Sequence, residues 1–334
     1  MSPLEDSHSR RQFIGALAKV SGALPLLVTR GSAAAPSLQR IGFLIRAGYP
    51  QLVDAFSGEL ARLGHIDGET IVIEKRFSQP DLSDLPAQAA ELVRSDVALI
   101  LAASLSQALA VRRAAPDMPM VIATCAGMVS NGFAHSVEHP GGHATGIDEL
   151  PPGVTAKRLS LLKVAAPDVS RIGLLSTSEG IGGYETQLAD AQGAAPRLGL
   201  SVKPYPAGSL AEIEQALAAM VKDNMQGLVN FQGGLSLFHR GFIIDFVAAH
   251  RMPSIFQATL FAEAGGLIAW APDLGGQYRE AARYVDKILR GAKPGDLPVQ
   301  YPARYYLTIN AATARGLGLT LPPALLAQAD RVLA

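Results

Sequence analysis

Short apolar runs alternate with segments of helical periodicity along nearly the whole chain, and no other feature restricts the fold as much. Gln39-Arg40-Ile41-Gly42-Phe43-Leu44-Ile45-Arg46 reads as a strand. Leu52, Ala55, Phe56, Leu60 and Leu63 then recur at helical spacing up to Gly64, a helix stop. Residues 70–74 read as a second strand, followed by a helix around 85–93. Residues 97–103 make a third strand running straight into Ser104-Leu105-Ser106-Gln107-Ala108, a helix start, and 120–124 read as a fourth strand. Strand and helix in turn, with short connections, is the pattern of right-handed βαβ units in an open parallel sheet.

The alternation stops once. Between Pro119 and Lys163, the groups Pro140-Gly141-Gly142, Thr145-Gly146 and Pro151-Pro152-Gly153 interrupt any regular element before a helical pattern resumes over 155–163. The rhythm then restarts, with strands at 171–178, 200–203, 227–232, 253–257 and 266–270 and helices at 184–198, 210–222, 235–250 and 274–289. No residue-level repeat relates the halves, so their similarity is one of pattern. Two doubly wound halves hung on one joint place a ligand between them.

A chain of 334 residues suits two domains of this kind, each able to bury a core. Charged residues make up only 17%, a globular composition. Lys plus Arg and Asp plus Glu balance at 29 each, which speaks against nucleic acid as a partner. The one cysteine, Cys125, excludes an internal disulfide, and no cysteine near the N-terminus offers a lipid anchor.

The first 34 residues have the anatomy of a twin-arginine export signal. Ser9-Arg10-Arg11-Gln12-Phe13-Ile14 precedes a mildly apolar run from Gly15 to Val28 that carries Lys19, then Arg30 and the small residues Gly31-Ser32-Ala33-Ala34-Ala35. Pro36 favours cleavage after Ala33 or Ala34, and the run is too short to stay as a membrane anchor. The expected mature protein is periplasmic, with no direct membrane insertion.

From Arg40 onward the chain resembles the tryptophan/tyrosine-type family of ABC-transporter substrate-binding proteins. The residues that carry the likeness are Ser136-Val137-Glu138-His139-Pro140-Gly141-Gly142-His143-Ala144-Thr145-Gly146, then Lys157-Arg158-Leu159-Ser160-Leu161-Leu162, and Ala264-Gly265-Gly266-Leu267. The C-terminal run adds Ala281 to Val299, Thr308-Ile309-Asn310, Gly316-Leu317-Gly318-Leu319 and Leu321-Pro322-Pro323. The resemblance implies an α/β chain with the type I periplasmic binding fold: two Rossmann-like lobes with parallel sheets, joined by three hinge crossings. One lobe is expected over 38–145 plus about 272–300, the other over 146–271 plus about 301–334. Pro140-Gly141-Gly142 and the segments near Ala271-Pro272 and Leu297-Pro298-Val299 are the expected hinges. Two positions depart from the family pattern: Gly127-Met128 stands where an Asp-Pro pair is usual, and Trp270-Ala271 where an aromatic-glycine step is usual. Both loops are expected to face the cleft.

Ligands of open α/β sheets bind beyond the carboxyl ends of the strands. The first half places Arg46, Tyr49, Ser104, Ser106, Thr124 and Cys125 there, and the second places Ser176, Thr177, Ser178, Phe231, Gln232, Gln257, Trp270 and Asp273. This set is aromatic and rich in hydroxyls, with one cation, and it suits a small ligand with an apolar or aromatic body and a carboxylate. Each position has a plainer use: Ser104 and Ser106 as helix caps, Asp273 as the cap of the following helix, Tyr49, Phe231 and Trp270 as packing. Ser104 also opens a helix whose free N–H groups suit an anion.

His135, His139 and His143 are spaced four apart, yet Pro140-Gly141-Gly142 keeps one helix from presenting all three, and no metal or other cofactor is expected. Glu179-Gly180-Ile181-Gly182-Gly183 fits neither the dinucleotide fingerprint nor the P-loop, and nucleophile-elbow, HExxH and Walker A patterns are absent. The expected activity is therefore capture of a small molecule and its delivery to an ABC permease whose ATPase hydrolyses ATP on another chain; the protein is not expected to be an enzyme. A ligand-sensing partner of a membrane receptor on the same fold is the alternative, with a periplasmic enzyme a distant third.

Overall fold

The computed structural model describes residues 38–79, 81–177, 181–231 and 233–334. The expected export signal lies outside them, as do Ser178 and Gln232. Among the described residues no helix is long and apolar enough to cross a membrane.

The first lobe is built from strand β1 (Gln39–Arg46), helix α1 (Pro50–Arg62), β2 (Ile71–Ser78), α2 (Leu85–Arg94), β3 (Leu99–Ala102), α3 (Leu105–Ala114), β4 (Met120–Cys125) and β5 (Ala144–Asp148). Its five strands are parallel in the order β2-β1-β3-β4-β5. β3 is buried at every position, as a strand covered on both faces must be. The second lobe follows with α4 (Val154–Ala165), β6 (Arg171–Ser176), α5 (Ile181–Ala194), β7 (Ser201–Pro206), α6 (Leu210–Lys222), β8 (Gly227–Asn230), α7 (Gly234–Phe238), α8 (Arg240–Ala249), β9 (Ser254–Phe256), α9 (Thr259–Glu263) and β10 (Ile268–Pro272).

The chain then returns. α10 (Leu274–Leu289) packs on α1 and behind β4 and β5 of the first lobe. Tyr278, Ala281, Ala282, Tyr284 and Val285 form its buried face, and Phe43 sits 5.0 Å from Phe56 and 6.2 Å from Tyr278 between ring centroids. After a short 3-10 turn, β11 (Tyr305–Asn310), α11 (Ala311–Gly316), α12 (Pro323–Gln328) and β12 (Arg331–Leu333) complete the second lobe. Its sheet runs β12-β11-β10-β9-β8-β6-β7, parallel except where β11 lies antiparallel to β10.

Three details differ from the sequence reading. β5 was hidden by Thr145-Gly146, read as a breaker; Gly146 is in fact a strand residue whose added Cβ would stand 2.1 Å from the Ile122 carbonyl oxygen, so only glycine fits. β5 belongs to the first sheet, so the first crossing leaves after Asp148. Pro140-Gly141-Gly142 stays within the first lobe, where the Gly141 amide donates to the Gly295 carbonyl at 3.0 Å. The single helix expected over 235–250 is two, α7 and α8, meeting at His239, because Leu237 turns to the cleft while Ile243, Ile244 and Val247 turn to the core. A short repeat was also passed over: Arg40-Ile41-Gly42 and Arg171-Ile172-Gly173 open β1 and β6 alike. The missing Cβ lets Leu92 and Met220 pack against them, 2.9 and 2.7 Å from where it would stand.

Candidate functional site

In the first sheet the strand order reverses between β1 and β3, and in the second between β6 and β8. Loops diverge at such points and leave a crevice beyond the strand ends. A cavity of about 520 Å³ lies there, with walls from both sheets. Arg46 and Tyr49 reach it from the end of β1, Ser104, Ser106 and Gln107 from the start of α3, and Thr124 and Ala126 from the end of β4. Glu149 closes it after β5. The opposite wall is made by Gly233, Gly234, Leu237, Gln257 and Thr259, while α10 and its start add Asp273, Tyr278 and Arg279 on the first-lobe side.

Seven of the residues expected from sequence thus share one cavity: Arg46, Tyr49, Ser104, Ser106, Thr124, Gln257 and Asp273. Five described ones lie outside its lining, Ser176 among them, buried at the end of β6. The register of β4 against β5 shifts between Ile122 and Cys125, leaving Thr124 and Ala126 on the cavity side and Cys125 among Met128, Phe133 and Ala134, where burial pushes its thiol well up. Thr177 is buried, with its hydroxyl accepting from the Ser236 amide at 3.1 Å. Phe231 is fully buried and faces Tyr184 at 6.4 Å, and Trp270 stacks on Tyr305 at 4.5 Å. The two altered loops follow suit: the Gly127 and Met128 amides donate to the Asp148 carboxylate at 3.0 and 2.8 Å and turn away from the cavity. Burial raises the pKa of Asp148, opposed by these amides and that of Leu150. Ser178 and Gln232 fall outside the described residues.

Sequence reasoning missed Glu149, Gln107, Tyr278 and Thr259. Glu149 lay beyond an unrecognised strand. Gln107 follows Ser104 by one helical turn, a spacing that was available, and Tyr278 sits on the apolar stripe of α10, where it reads as core.

The polar groups are held in place before any ligand arrives. Arg46, only 8% exposed, donates from Nη1 to the Gly234 carbonyl at 2.9 Å and lies 5.7 Å from the Phe238 ring centroid, so it spans the cleft. Ser104 makes no backbone cap; its hydroxyl donates to Gln107 Oε1. Thr124 and Tyr278 both donate to the Ala103 carbonyl, at 3.0 and 3.2 Å. Gln257 accepts from Asn230 Nδ2 at 2.6 Å and donates to Ser236 Oγ at 3.1 Å. Asp273 occupies the N-cap position of α10 without a capping bond and pairs with Arg279 at 2.7 Å on the open rim. Burial, and next the Arg46 charge, hold the His239 imidazole below its ordinary range. Glu149 is 6% exposed, so a buried guanidinium and a buried carboxyl group line the same cavity. Among the described residues no group of three or more His, Cys, Asp or Glu could hold a metal ion.

A family model described as ABC transporter substrate binding protein matches residues 43–333. A tyrosine-binding protein of Clostridioides difficile (strain R20291) is 23% identical over 284 residues, 84% of this chain and 81% of that protein. Among solved structures, an ABC domain from Streptococcus pneumoniae in complex with L-Trp is 24% identical, covering 88% of this chain and 100% of that one, with a TM-score of 0.79. A conserved domain protein of Vibrio cholerae is 21% identical, covering 88% and 99%, with a TM-score of 0.80.

Proposed function

Because the chain belongs to the ABC transporter substrate-binding protein family, we propose that it closes its two lobes on a small amino acid or carboxylate with an apolar or aromatic body and hands it to an inner-membrane permease. The observation that carries this reading is that Arg46 and Glu149, both buried, line one cavity. A guanidinium recognises a carboxylate through paired N–H donors, and a buried carboxylate recognises an ammonium. Leu52, Leu105, Leu237 and Leu260, with Tyr49 and Tyr278, supply an apolar wall for the ligand body. An enclosed aromatic ring of ~150–250 Å² contributes roughly 4–6 kcal/mol at ~25 cal/mol per Å² before association costs. Charge-assisted bonds add about 1.5–3 kcal/mol each, which supports micromolar affinity or better.

Arg10-Arg11 and the small residues before Pro36 support export by the twin-arginine route and action in the periplasm. The lobe boundaries fit crossings after Asp148, after Pro272 and between Asp296 and Tyr305.

The test is a thermal-shift screen of the mature chain against amino acids, aromatic and branched acids, sugars and polyamines. A ligand at a hundredfold excess over Kd stabilises the native state by about 2.7 kcal/mol, several degrees in Tm. Arg46→Gln is expected to abolish the shift with every carboxylate. Glu149→Gln is expected to weaken an amino acid such as L-phenylalanine at least about tenfold and to spare 3-phenylpropionate. A sugar that shifts Tm regardless of Arg46 would overturn the reading.

A further inference from the structure

Three segments cross between the lobes, and their second-lobe ends are joined through the side chains of Trp270 and Tyr305, with Arg158 bonded to the second. Arg158, on α4, is fully buried and donates from Nε to the Trp270 carbonyl at 3.3 Å, near the end of β10, from which the second crossing leaves. The Trp270 ring stacks on Tyr305, with 4.5 Å between centroids and 26° between planes, and Tyr305 opens β11, where the third crossing arrives. The Tyr305 hydroxyl donates to the Glu149 carbonyl at 2.8 Å, within the first crossing. Ala126, Leu150 and Val154 pack around the two rings. Glu149 is also a cavity residue, whereas Arg158, Trp270 and Tyr305 are not.

Three independent strands between two bodies allow bending about several axes and twisting besides. Cross-linked to one another they leave fewer ways to move. We propose that Arg158, Trp270, Tyr305 and Glu149 form a hinge knot that makes the three crossings move together, with Arg158 and Tyr305 as positioning residues that tie the hinge to the cavity through Glu149. The inference rests on the two-lobe reading above. Burial lowers the Arg158 pKa to about 10, and Tyr305, Glu149 and Asp190 oppose the fall, so the guanidinium is charged at neutral pH.

Hydrogen exchange on the ligand-free full chain tests the knot. The reporters are the amides where the first crossing leaves β5: Asp148, bonded to Gln300; Glu149, bonded to Cys125; and Leu150, bonded to the Asp148 carboxylate. Tyr305→Phe keeps the ring and removes only the hydroxyl on the third crossing. It is expected to quicken exchange at 148–150 about tenfold, while exchange within β1 and β3 is unchanged. Arg158→Met is expected to quicken all three crossings at once and to shift the emission of Trp270, the chain's one tryptophan, with Arg158→Lys restoring part of both. If Tyr305→Phe leaves 148–150 unchanged, or each substitution acts only around its own position, the crossings are independent and the proposal is wrong. Should Arg158→Met fail to fold, Tyr305→Phe decides alone. No ligand enters this experiment, so a silent thermal-shift panel beside coupled exchange would sink the ligand reading and leave the knot standing.

Discussion

Glu59, on α1, is 7% exposed and accepts from Arg62 at 2.9 and 2.7 Å and from Arg283 of α10 at 2.9 Å. The Arg62 hydrogen bonds do most to hold its pKa at about 2; burial opposes them, and Arg283 adds to them. The folded value lies below the ordinary one of 4.5, so this contribution to stability is complete above pH 4.5 and is lost as pH falls towards 2. Glu59→Gln is expected to cost about 1–3 kcal/mol at pH 7 and progressively less down to pH 2, read from urea unfolding at each pH. Parallel pH curves for the two proteins would contradict the assignment. At this scale the sequence was a partial guide to the site. That Arg46 and Tyr49 stand beyond a strand end follows from the alternation alone, but which way a side chain faces there depends on phase. A one-residue slip in β4 was enough to turn Cys125 inward and leave Thr124 in the cavity.

β5 shows what pattern reading cannot reach at the scale of elements. Strand signals weigh side chains, and Gly146 has none; its place is set by the Ile122 backbone alongside, a contact between residues distant in sequence. Gly146 also has φ of +146°, outside the range that L side chains favour. Gly146→Ala is therefore expected to destabilise the chain by at least about 2–3 kcal/mol, seen as a lower urea midpoint. A loss within about 0.5 kcal/mol would mean that β4 and β5 separate easily. By contrast α10 was legible to its ends, because its apolar stripe and Asp273 at its start are local signals. The division at His239 was not, because both halves keep helical spacing and differ only in what they pack against.

For the whole molecule, two lobes of mostly parallel strands could be read from the order of strands and helices, but the antiparallel β11 could not, and the return of α10 to the first lobe came only with the family resemblance. Composition and spacing carry no mark of which sheet a late helix will join. On the proposed function, a ligand that touches both walls of the cavity would favour a closed form by its differential affinity. The radius of gyration from X-ray scattering is expected to fall when the mature chain is saturated with a compound that shifts Tm; an unchanged radius would argue against lobe closure.

The return of α10 also sets a clock on biogenesis. Phe43 and Phe56 leave the ribosome long before Tyr278, which packs against Phe43 and is made after the entire run from β6 to β10. Until then the nascent first lobe presents an uncovered apolar face, the kind of surface that invites chaperones or aggregation. The second lobe waits as well, for β11 and β12. Its last strands follow α10 in the chain, so the first lobe can cover its apolar face while the second is still incomplete.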